Sequence, residues 1–122
     1  MYGINFRYQV RARKLRRILR FLQKRYIPIR IKYQWNTSIG YSNTRTYQGV
    51  IKEYSIVSRE FMDDIIFFDV QIEFMNGDRM EEELSTMWEF DWSGTHNRMK
   101  KVRLCEANGG PYNYFTIERL DI

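Results

Sequence analysis

The chain has no aspartate or glutamate before Glu53, and thirteen of its twenty lysines and arginines have passed by then. All fifteen carboxylates fall between Glu53 and Ile122, beside seven cations. The formal charge of +5 therefore divides into about +13 followed by about −8. Early cations without acidic sequence neighbours need counter-charge from distant residues or from another molecule.

Other scarcities exclude whole classes of chemistry. A single cysteine, Cys105, excludes an intramolecular disulfide and agrees with a reducing, intracellular (cytoplasmic) setting. With one histidine, His96, the chain cannot assemble the three or four nitrogen and sulfur ligands of a zinc site. A Cys105–His96 pair has no motif around it that would make a nucleophile. There is no phosphate loop and no GxGxxG, and Gly109-Gly110-Pro111 reads as a turn. Asp69 and Glu73 share one face of a strand, but no lysine follows at a nuclease spacing, so no metal and no cofactor is expected. No apolar run reaches the roughly eighteen residues of a membrane span, and no secretory h-region is present. An acid-free, Arg-rich start also suits a mitochondrial presequence or a lipid-surface helix, but serine is missing before Ser38.

What is present begins with RYQVRARKLRRILRFLQKR, Arg7 to Arg25. Tyr8, Ala12, Leu15, Ile18, Leu19, Leu22 and Tyr26 recur at the spacing of one helical face. Arg13, Arg16, Arg17, Arg20 and Lys24 take the opposite face. Asn5 is a suitable N-cap, and Pro28 predicts a stop near Tyr26. Like charges a helical turn apart cost the isolated segment on the order of 1–3 kcal/mol. Such a helix requires a docked apolar stripe and anions against its cationic face. The anions are either the chain's own carboxylates, with Glu81, Glu82 and Glu83 the natural candidates, or phosphates, whose oxygens match guanidinium forks. Phe21 lies off the stripe beside Arg17 and Lys24, a position suited to contact with a base or a protein partner.

The remainder alternates like strands. In Ile27 to Trp35, apolar Ile29, Ile31, Tyr33 and Trp35 interleave with Arg30, Lys32 and Gln34. Asn36 to Thr46 reads as a polar loop in which Tyr41 and Arg45 could stack bases and grip phosphates. Thr46 to Ser58 reads as a second strand, with Gly49 at a bulge. Ile65 to Phe74 is the strongest strand, with Ile66, Phe68, Val70, Ile72 and Phe74 inward, and Asn76-Gly77 turns it into a partner bearing Met80, Glu82 and Leu84. Trp88, Phe90 and Trp92 alternate in a dense aromatic segment that is either core or, through Trp88 and Trp92, a partner surface. Two closing strands flank an Asn108-Gly109-Gly110-Pro111 turn.

These features predict one α+β domain over 1–122: a basic helix over 1–26, then a five- to six-stranded antiparallel meander over 27–122. In strand rhythm, Ile27 to Leu120 resembles the small SH3-like and Tudor-like barrels. That resemblance implies a partly closed barrel and a binding role, for peptides, methylated side chains or nucleic acid, rather than catalysis.

The functional expectation is a non-enzymatic binding module for nucleic acid, DNA or RNA, or for a nucleoprotein. Arg13, Arg16, Arg17, Arg20 and Lys24 would contact phosphates, flanked by Arg30, Lys32 and Arg45. The alternative is a small inhibitor that occupies a nucleic-acid-handling protein. In brevity and lack of a catalytic motif the chain resembles phage- and mobile-element-borne anti-CRISPR proteins.

Overall fold

A computed structural model describes the backbone of residues 4–36, 42–61, 65–85, 88–90, 100–106 and 113–122, and the side chains of 12–36, 43–58, 67–84, 100–105 and 113–122. The readings of Tyr41, Trp92, His96, the Met62-Asp63-Asp64 turn and the Asn108–Pro111 turn lie outside the described residues, as do the Tyr8 and Trp88 side chains.

The first element is helix α1, Ile4–Lys24. It starts one residue before the predicted cap, placing Asn5 inside the first turn, a shift within the ordinary fraying of helix ends. Ala12, Leu15, Ile18, Leu19 and Leu22 are all buried, as their spacing requires. The C-terminal end closes by a Schellman pattern: Ile27 N donates to Leu22 O at 3.1 Å and Tyr26 N to Gln23 O at 3.2 Å. Tyr26 takes the left-handed position of that motif, with φ of 52°. That conformation turns its ring out of the apolar stripe, so Tyr26 is 66% exposed rather than buried. Ile27 packs inward in its place.

Among the described residues eight strands follow: β1 (Ile29–Asn36), β2 (Ser42–Gly49), β3 (Ile51–Phe61), β4 (Ile65–Phe74), β5 (Arg79–Ser85), β6 (Trp88–Phe90), β7 (Lys101–Glu106) and β8 (Tyr114–Arg119). They form a five-stranded sheet in the order β2-β1-β8-β7-β6 and a three-stranded sheet β3-β4-β5. Every pairing is antiparallel. The fold is thus α+β, and consecutive antiparallel pairing in β3-β4-β5 and β6-β7-β8 agrees with the expected meander, whereas the expected partly closed barrel is corrected. The strands divide into two sheets, and these do not close into a barrel. Pairing of β1 with β8 joins the first and last of these strands, which local strand rhythm cannot reveal.

Two local readings are also corrected. Ser42 to Thr46, expected as loop, is the start of β2, where polar Thr44 and Thr46 pair with Gln34 and Lys32 of β1. The stretch Thr46–Ser58 is two strands in different sheets, because the chain breaks at Gly49 and Val50. Gly49 adopts φ of 152°, a region L side chains rarely enter. A Cβ there would meet the Phe74 side chain at 3.1 Å and Asn76 Nδ2 at 3.2 Å. The break is stitched to the β4–β5 turn by Met75 N donating to Val50 O at 2.8 Å and Asn76 Nδ2 to Gln48 O at 3.2 Å. The Asn76-Gly77 hairpin forms as expected, with Gly77 at φ of 94°.

One core unites both sheets and the helix: Ile29, Ile31, Val102, Leu104, Phe115 and Ile117 from the five-stranded sheet meet Phe68, Val70, Ile72, Phe74, Met80 and Leu84, with the α1 stripe. Helix α1 runs beside edge strand β3, where Arg16 Nη2 donates to Ile56 O at 3.0 Å and Gln23 Nε2 to Lys52 O at 2.7 Å. Helix and three-stranded sheet thus share this core with the inner face of the other sheet. Covering β3 with helix side chains also protects an otherwise open strand edge.

Gly49→Ala should lower the stability of the folded chain by roughly 1–3 kcal/mol, from backbone strain and crowding against Phe74. Urea denaturation measures this, and an unchanged midpoint would refute the assignment of Gly49 as the required crossing point.

Candidate nucleic-acid interface

The α1 cations divide according to what surrounds them. Arg13, Arg16, Arg17, Arg20 and Lys24 are all exposed on the side away from the core. Arg16 is tied to the Ile56 carbonyl of β3. Arg13, Arg17, Arg20 and Lys24 form no ion pair with any carboxylate of the described residues. Two of the expected internal partners, Glu82 and Glu81, are turned elsewhere. Glu82 points into the core, and Glu81 accepts a hydrogen bond from Gln71 at 3.4 Å.

Phe21 is not a free outward ring. It is half-buried against the core, with the Arg25 guanidinium 5.5 Å and the Arg119 guanidinium 5.7 Å from its centroid. Arg119 is in turn held by Asp121, through Nε at 3.0 Å and Nη2 at 2.9 Å. That hydrogen-bonded fork keeps the Asp121 carboxyl below the usual carboxylate range.

Arg30 and Lys32 occupy a different surface. Ile29 and Ile31 point into the core, so the alternating residues of β1 project from the opposite face of the five-stranded sheet. Register places Arg30, Glu118 and Lys101 in one cross-strand row, and Lys32, Thr116 and Arg103 in the next. Gln34, Tyr114 and Cys105 make a third row. Arg30 Nη1 pairs with Glu118 Oε1 at 3.0 Å. The Arg103 guanidinium lies 4.5 Å from the Tyr114 ring centroid. These side chains, Cys105 excepted, line a shallow depression of about 320 Å³. Lys101, Arg103 and Tyr114 were not singled out in the sequence. Alternation in KKVRLCE pointed to their face, but only the β1–β8 pairing sets them beside Arg30 and Lys32.

Arg45 sits on the inner side of β2 rather than in a loop. Its Nη1 is 2.9 Å from Glu82 Oε1, and its guanidinium stacks 4.6 Å from the Trp35 ring centroid. Tyr47 Oη donates to the same Glu82 oxygen at 3.3 Å. Glu82 is 4% exposed, the buried acid of the inner face of β5 among the described residues. Burial pushes its carboxyl above the ordinary value, and Arg45 and the Tyr47 hydrogen bond oppose that rise without cancelling it. Burial, together with the nearby Glu82 charge, raises the Tyr47 hydroxyl. Arg45 is thus already supplied with an anion and helps fasten β2 to β5.

The outer face of the three-stranded sheet is acidic. Glu53 stands opposite Glu73, and Asp69 opposite Glu83. Glu81 and Arg79 lie on the same face, which has a depression of about 430 Å³. Like charges directly across a ladder are unfavourable. Lys52 Nζ offsets part of this, 3.9 Å from Glu73 Oε1. Among the described residues no group of three or more His, Cys, Asp or Glu side chains could hold a metal ion, and no helix is long and apolar enough to cross a membrane.

Comparison with protein-family models, curated proteins and solved structures finds no match to the chain.

Because the Glu82 carboxyl titrates higher in the folded chain than in the unfolded one, its contribution favours folding at low pH and is lost as pH rises through the raised value. Glu82→Gln should therefore gain stability relative to the parent as pH rises above the ordinary carboxylate range. Arg45→Ala, which leaves the buried carboxylate short of its partner, should cost on the order of 1–3 kcal/mol at neutral pH. Denaturation curves across pH check both. A parent-to-Gln difference independent of pH would contradict the burial-driven shift.

Proposed function

We propose that this chain is a non-enzymatic binding module for nucleic acid, or for a nucleoprotein, that engages phosphates through the outer face of α1. One observation carries the reading: Arg13, Arg17, Arg20 and Lys24 form an exposed cationic stripe without carboxylate partners among the described residues. The docked apolar stripe holds this like-charged helix in place, and an external polyanion would relieve its repulsion. Arg16 joins the stripe while anchored to β3. Arg30 and Lys32 add a second contact from the outer face of the five-stranded sheet. Arg45, held by Glu82, contributes less.

A second reading rests on the acidic face of the three-stranded sheet. Like-charge pairs such as Glu53–Glu73 would be relieved by a cationic protein surface. An inhibitor of a nucleic-acid-handling enzyme, in the manner of anti-CRISPR proteins, could present that face as a phosphate mimic. A stoichiometric protein partner that survives nuclease treatment, and is lost on Glu53→Lys with Glu73→Lys, would favour it.

The leading reading predicts salt-dependent binding to oligonucleotides. With Arg13, Arg17, Arg20 and Lys24 all changed to Gln, the slope of log K against log salt should flatten by about 3 to 4. Anisotropy titrations over a salt series measure this. A parent protein that binds neither DNA nor RNA at low salt, or a slope unaffected by the four changes, would remove the helix from the interface.

A further inference from the structure

We propose that the outer face of the five-stranded sheet is a platform for single-stranded nucleic acid, distinct from the helical stripe. The proposal rests on the nucleic-acid reading above and adds the strandedness of the ligand and the residues that sense it.

Three observations carry it. First, the cations of this face come in two adjacent cross-strand rows, Arg30 with Lys101 and Lys32 with Arg103. Alternate residues along a strand stand about 7 Å apart, so the rows lie close enough to follow one polyphosphate backbone. Second, Glu118 is the acid of this face among its lining residues, and Arg30 already holds it. Lys32 and Lys101 are exposed and form no ion pair with a described carboxylate. Third, the Arg103–Tyr114 pair stands at the edge of the depression with its guanidinium over the ring. Guanidinium and phenol planes both stack nucleobases.

A duplex would present this shallow face with phosphates alone, and Tyr114 would go unused. An unpaired strand offers phosphates and base planes together. Lys32 and Lys101 would hold successive phosphates while a base stacks at Arg103 and Tyr114. Gln34 and Thr116, in the same depression, supply hydrogen-bonding groups without sequence selectivity. Strand order explains why one segment alone does not carry this site: β1 gives Arg30, Lys32 and Gln34, whereas β7 and β8 give the rest.

The test is anisotropy with labelled oligothymidylate, oligouridylate and a mixed-sequence DNA duplex, on the full chain. Tyr114→Ala should weaken single-strand binding about tenfold and leave duplex binding unchanged, whereas Tyr114→Phe retains the ring and should bind as the parent does. Lys32→Glu with Lys101→Glu should weaken single-strand binding without touching the packed ring, which guards against a folding defect in Tyr114→Ala. The two homopolymers show whether the strand is DNA or RNA. If these sheet variants bind single strands as the parent does, while charge reversal of Arg13, Arg17, Arg20 and Lys24 abolishes binding, this proposal falls and the helical reading stands. If the parent binds no oligonucleotide, both fall. If the sheet variants change sedimentation of the protein alone and not its oligonucleotide affinity, the face meets the acidic sheet of a second copy, and the proposal is overturned.

Discussion

Docking of the α1 apolar stripe is the interaction on which the rest of the molecule depends. Leu15, Ile18, Leu19 and Leu22 are almost wholly buried in the common core. Burial of such side chains is worth roughly 1.5–3 kcal/mol each. That outweighs the like-charge repulsion along the opposite face, which amounts to a few tenths of a kcal/mol per pair. The fold can therefore hold an electrostatically unfavourable helix without neutralising it. Hydrogen bonds from Arg16 and Gln23 to carbonyls of β3 fix where the helix lies and leave the remaining cations facing outward.

The same arrangement sorts charge in space. Cations occupy the helical exterior and the outer face of the five-stranded sheet, and carboxylates occupy the outer face of the three-stranded one. The acid-free start of the sequence becomes a surface division because both basic elements, α1 and β1, turn apolar side chains to a common core. Glu82 and Arg45 depart from this sorting. They are an acid and a base drawn inward to join the two sheets where β2 and β5 approach, with Tyr47 completing the hydrogen bonding.

Much of this was legible in the sequence. Helical spacing identified the stripe from Ala12 to Leu22, and strict alternation identified the inward residues of β1, β4 and β5. Those signals are local and strong because each side of the element faces a different solvent. The assignment of strands to sheets was not legible. Nothing near Ile29 announces that its partner is Arg119, since pairing depends on which distant strands best complete the core. The polar composition of Ser42 to Thr46 hid a strand, because an exposed edge needs little apolar content. Arg45 read as a loop cation for the same reason, and its actual counter-ion lies in a different sheet. Of the proposed interface, the helical half was visible as a charge run. Of the proposed sheet half only Arg30 and Lys32 were visible, since the other residues are gathered from two further segments, β7 and β8.

The seam between β1 and β8 has a consequence for how the chain acquires its shape on the ribosome. A strand near the start must wait for one some ninety positions later, as the Ile29–Arg119 pairing shows. Until that late segment emerges, the hairpin of β1 and β2 has an unsatisfied central edge, and the helix has only the β3–β5 unit to lean on. Closure of such a long loop is slow for entropic reasons. The middle strands are therefore the natural early scaffold, and the broad sheet is a product of the final stage of assembly.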